Sequence, residues 1–90
     1  MSDRPLMLDG FDAAVIGITS RCGQMDLVVY DRGKVISLLE KTGMSHEMAV
    51  EYYEFNIEGA WAGPGTPLFL DKMPAKKVRE FMEDEYAGTE

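Results

Sequence analysis

Residues 59 to 67, read GAWAGPGTP, put three glycines and two prolines into nine positions. Proline fixes φ and removes a backbone donor, and glycine raises the entropic cost of any regular element. Neither a helix nor a strand passes through such a stretch. The chain is therefore cut into a long first part and a short second part, joined by an irregular loop.

Before the loop, Ala13 to Thr19 (AAVIGIT) is a continuous apolar run with β-branched residues, the length of a buried strand. Gly17 within it marks a bulge or a close approach. Leu27 to Tyr30 (LVVY) predicts a second strand, and Arg21 to Gln24 the turn between them. Asp31 reads as a helix N-cap, Val35, Leu38, Leu39 and Thr42 recur at helical spacing, and Gly43 stands where that helix stops. Ser45 reads as the N-cap of a second helix ending near Glu58 and Gly59. After the loop, Leu68 to Leu70 predicts a short third strand. Pro74 suits the first turn of a last helix, whose apolar stripe is Val78, Phe81, Met82 and Tyr86.

The order β-β-α-α-β-α predicts a small α+β fold occupying residues 1–90 as one domain. A three-stranded sheet would pack against a helical hairpin and a C-terminal helix, with residues 1–8 and 87–90 frayed. Strand pairing is left open.

Ninety residues bury a modest core. The apolar fraction, 46%, is that of a globular chain, which argues against disorder. A single cysteine, Cys22, excludes an internal disulfide and a cysteine zinc site. No apolar run approaches the ~20 residues that span a bilayer, and the acidic start does not resemble a signal peptide. An intracellular protein is expected, with no membrane association.

Charge is unevenly spread. Residues 1 to 45 carry six acids and five bases, whereas residues 46 to 90 carry ten acids and four bases, within a total of −7. Such a surface repels nucleic acid and favours a basic partner. It also keeps a small protein soluble without any further role.

Glu47, Glu51, Glu54 and Glu58 fall within an arc of about 60° on a helix of 100° per residue. Opposite them lie Ala49, Tyr52, Tyr53, Asn56 and Ala60. The pattern predicts an amphipathic helix with its core face centred on Asn56. The like-charge pairs at i,i+4 cost about 0.2–0.5 kcal/mol each, less than one buried tyrosine contributes. The stripe thus stands either as a solvated face or as an acidic ridge for a basic partner. A buried asparagine must satisfy one acceptor and two donors, so Asn56 is expected to hydrogen-bond the 59–67 loop. Trp61 reads first as a core plug and second as an exposed binding anchor.

Recognisable catalytic chemistry is sparse. His46 is the lone histidine, in the first turn of a helix, and reads as solvated. Gly63 to Thr66 lacks the lysine and the following helix of a phosphate loop. Asp9, Asp12 and Asp31 lack EF-hand spacing but could serve a ligand if they converged. Neither a catalytic residue, a metal nor a cofactor is assigned.

The segments LDGFDAAVIGI and VVYDRGKVISLLEKTGMSHEMAVEYYEFNIEGAWAGPGTPLFL resemble an uncharacterised family of small acidic proteins of tailed bacteriophages. The shared features are a D-G-F/L-D start, a V-Y-D strand end, an M-S/T-x-E-x-A helix and the phrase F-N-x-x-G-A-W/Y-x-G-x-x-T-P. They cover roughly residues 8 to 70. Pro64 departs from the family, where a charged or polar residue is expected. The resemblance implies a protein of the bacterial host cytoplasm made during infection, and implies no activity. It directs attention to Asp9, Asp12, Asp31, Asn56, Gly59, Trp61, Gly63, Thr66 and Pro67.

The leading expectation is a non-enzymatic phage accessory protein. It would bind and modulate a host or phage protein with a basic surface, through Glu47, Glu51, Glu54, Glu58 and Trp61. Asp31, Asn56, Gly59, Gly63, Thr66 and Pro67 would shape and anchor the loop. The alternatives are a nucleic-acid mimic that blocks a DNA-binding host or defence protein, and a small ligand-binding protein or enzyme using Asp9, Asp12, Asp31 and the 59–67 loop. A homo-oligomeric structural protein, adhesive through its seven methionines and four tyrosines, is a further possibility.

Overall fold

The computed structural model describes residues 4–86. A 3₁₀ turn at Asp12–Ala14 leads into β1 (Val15–Ile18), followed by β2 (Val28–Asp31), α1 (Arg32–Glu40) and α2 (His46–Tyr52). Tyr53–Glu58 continues α2 as a π-helical segment, and β3 (Leu68–Leu70) and α3 (Ala75–Tyr86) complete the chain. The α+β architecture and the element order are those the sequence predicts. The first strand is shorter than predicted, because Ala13 and Ala14 belong to the 3₁₀ turn. Residues 87–90 and 1–3, expected to fray, lie outside the described residues.

The sheet order is β1-β2-β3. β1 and β2 are antiparallel, and the register shifts between Val15 and Gly17, where the glycine was expected to mark a bulge. β2 and β3 are parallel, pairing Val29 with Leu68, Tyr30 with Phe69 and Asp31 with Leu70. Everything from α1 to the 59–67 loop is therefore one crossover connection, as a parallel pair requires.

Local chemistry explains the helical hairpin. The Lys34 amide donates to Asp31 Oδ1 at 3.3 Å, and the Met48 amide donates to Ser45 Oγ at 3.2 Å, so both N-caps are filled. Between them Gly43 turns the chain at φ +111°, a conformation that side chains resist. The core gathers Ala14, Val28, Tyr30, Val35, Ile36, Leu39, Ala49 and Tyr53 between one sheet face and α1 and α2. Phe69 stacks beside it, its ring centre 5.8 Å from Tyr30 and 5.5 Å, edge-on, from Tyr53.

Residues 4–8 do not fray. The Leu6 amide donates to Gly65 O at 3.0 Å, and the Leu8 amide donates to the Tyr30 hydroxyl at 2.7 Å. The buried tyrosine needs a hydrogen-bond partner, and the N-terminal segment supplies it. Gly65 permits the approach, since a Cβ there would stand 2.5 Å from Arg4 O.

α3 forms as predicted, with Pro74 just before it accepting from the Val78 amide at 3.1 Å. It does not pack on the sheet. Every residue from 71 to 86 is exposed.

Candidate functional site

An open cleft of about 690 Å³ lies at the carboxyl ends of the parallel strands β2 and β3. Arg32, the first residue after β2, and Asp71, the first after β3, face it together with Glu58, Trp61, Thr66 and Phe69.

Arg32 is the hub. Its guanidinium lies 3.6 Å from Glu54, 3.7 Å from Glu58 and 3.7 Å from Asp71. It also sits 5.2 Å over the Tyr53 ring. A basic residue in a helix's first turn is disfavoured by the helix dipole. Three carboxylates offset that cost here. The acids remain in excess, and each is about half exposed, so each pair contributes only a few tenths of a kcal/mol. On the flank, Lys72 Nζ pairs with Asp31 Oδ2 at 3.5 Å.

Beneath Arg32, Tyr53 is fully buried, and its hydroxyl has no hydrogen-bond partner among the described residues. Burial first, and the Glu58 carboxylate second, push its ionisation well above the ordinary tyrosine range, while Arg32 opposes them.

Thr66 holds the loop. Its hydroxyl donates to Gly63 O at 2.7 Å and accepts from the Ala62 amide at 2.8 Å, while its own amide donates to Gly63 O at 3.1 Å. Gly63 takes φ +104°, which explains the glycine there. Gly59 is needed for a different reason: its amide closes the π turn on Glu54 O at 3.1 Å, and a Cβ would lie 2.8 Å from that oxygen. Pro67 is buried at the start of β3. Gly59, Gly63, Thr66 and Pro67 thus shape the loop.

Asn56 does not. It is exposed and makes no hydrogen bond to the loop among the described residues. The buried or half-buried residues of this segment are Ala49, Val50, Tyr53 and Ile57, so the core face is rotated away from Asn56. The core face is set by what packs on α1 and the sheet, not by simple opposition to the glutamates. The wider π turns from Tyr53 onward shift the later residues further. Trp61 is not a core plug either, because 76% of it is exposed at the cleft rim.

All four glutamates are exposed, but their ion pairing differs. Glu54 and Glu58 turn to Arg32, whereas Glu47 and Glu51 have no ion-pair partner among the described residues. Glu51 lines a shallow apolar groove of about 390 Å³ with Met44, Met48, Tyr52, Phe55 and Asn56, and Glu47 lines the adjoining hollow that shares Met48, Glu51 and Phe55. Phe55 there is 76% exposed. His46, beside it, is paired with Glu40. Asp31 serves as cap and ion-pair partner, and no group of three or more metal-ligating side chains, Asp9 and Asp12 included, converges among the described residues.

Sequence reasoning missed Arg32 and Asp71. The visible signal was a positive charge directly after an N-cap, where the dipole asks for a negative one. Compared with protein-family models, curated proteins and solved structures, the chain matches none.

Proposed function

We propose that the chain is a non-enzymatic docking module whose cleft receives a basic side chain of a partner protein. One observation carries this reading: Trp61 stands exposed at the rim of a cleft whose charged lining is two carboxylates, Glu58 and Asp71, against one cation. An arriving lysine or arginine gains the acids' excess charge together with the indole face, about 0.5–1 kcal/mol for an exposed cation–π contact. The unbalanced charge also accelerates encounter with a basic surface. The resemblance adds the setting: an accessory protein of a tailed bacteriophage, in the cytoplasm of the infected bacterium, modulating a host or phage protein. Among the described residues no helix is long and apolar enough to cross a membrane. Mimicry of nucleic acid is the weaker reading, since a net charge of −7 on ninety residues is modest for a surrogate of phosphates.

The test is affinity capture from bacterial lysate with the native chain and with a Trp61→Ala, Asp71→Asn variant. Capture of a defined protein, reduced at least several-fold by the variant and by added salt, is expected. Equal capture by both would remove the cleft as the docking site. Displacement of the captured protein by double-stranded DNA would favour mimicry instead.

A further inference from the structure

α3 is a helix with every reason not to be stable alone. It has twelve residues and none is buried. Isolated helices shorter than ~12–15 residues are marginal in water. Its charges oppose its dipole: Lys76, Lys77 and Arg79 occupy the N-terminal half, and Glu83, Asp84 and Glu85 the last turns. Yet its sequence is strongly amphipathic. At 100° per residue Val78, Phe81 and Met82 share an arc of ~100°, with Lys77 and Arg79 flanking it on either side. A helix of this design needs a surface that is apolar along its middle and acidic at its margin.

The body of the same chain presents that surface. Met48, Tyr52 and Phe55 are exposed along one line of α2 and its π-helical continuation, beside the unpaired Glu47 and Glu51. Arg79 likewise has no ion-pair partner among the described residues, and Lys77 reaches only Glu80, at 3.9 Å. No residue of α3 is buried, and Val78, Phe81 and Met82 are about half exposed, so both surfaces remain open in the single chain. We infer that two copies associate, with α3 of each lying in the α2 groove of the other. Val78, Phe81 and Met82 cover Met48, Tyr52 and Phe55, while Arg79, on one flank of the stripe, lies along the margin that carries Glu47 and Glu51. A two-fold arrangement makes this contact twice, which is why a modest groove suffices. This surface is separate from the Arg32 cleft, and neither proposal depends on the other.

Light scattering and sedimentation over a wide concentration range test it on the full chain. The mass should rise with concentration from 10.1 kDa toward twice that value, with helical circular dichroism rising alongside. A Glu47→Lys, Glu51→Lys variant and a Lys77→Glu, Arg79→Glu variant should each weaken self-association roughly tenfold or more. Mixing the two should restore a heterodimer, because each groove then meets an α3 of opposite sign. Thermal unfolding confirms that each variant is folded, and Trp61→Ala, Asp71→Asn should dimerise as the native chain does. A chain monomeric at every concentration overturns the inference. So does a dimer indifferent to both reversals, which would place the interface elsewhere, or a groove that binds basic amphipathic peptides while the chain itself stays monomeric.

Discussion

At Gly59 a single hydrogen atom in place of a methyl group lets the helix end in a π turn. Gly59→Ala would set a Cβ 2.8 Å from Glu54 O, and backbone cannot retreat as a flexible side chain can. A loss of about 1–3 kcal/mol by denaturant unfolding is expected, together with displacement of Glu58 from the cleft. Tyr53 behaves in the opposite sense. Its buried hydroxyl lacks a partner, so Tyr53→Phe removes an unsatisfied donor and should raise stability by up to about 1 kcal/mol. The pH dependence carries a sign. The folded phenol ionises at higher pH than the unfolded one, so the fold's advantage is intact below pH ~10. It declines as pH rises beyond that, and Tyr53→Phe should flatten this alkaline decline relative to the native chain. Residues whose role is local were legible in the sequence: Asp31 and Ser45 as caps, Gly43 as a stop, Gly63 in its turn. Asn56 was misread because a wheel projection assumes uniform helix and lets charge choose the buried face. Packing chose otherwise, seating Ala49 and Tyr53.

Among the elements, the N-terminal segment and α3 depart most from expectation. Residues 4–8 lack any periodic signal, yet they satisfy Tyr30 and brace the loop at Gly65. Deleting residues 1–8 should lower stability by about 2 kcal/mol, through two lost hydrogen bonds and a stranded buried hydroxyl. Equilibrium unfolding of the shortened chain checks this, and a loss below the error of the measurement would count against the bracing role. α3 was legible as a helix because its amphipathic spacing is local. That none of its residues is buried was not legible, since a stripe of Val78, Phe81 and Met82 states the need for a partner and not where the partner is. The strands were recognisable one by one, whereas the parallel pairing of β2 with β3 depends on residues far apart in the chain.

For the molecule as a whole, the cleft exists only because that pairing brings Arg32 and Asp71 side by side. No window of sequence contains it. The same topology has a temporal consequence. While a ribosome extrudes this chain, β1, β2 and both helices of the hairpin emerge before residues 68–70, so the guanidinium waits without its third carboxylate until the stretch that carries β3 and Asp71 is released. A nascent chain stalled short of that stretch holds most of its apolar interior but not the completed cleft.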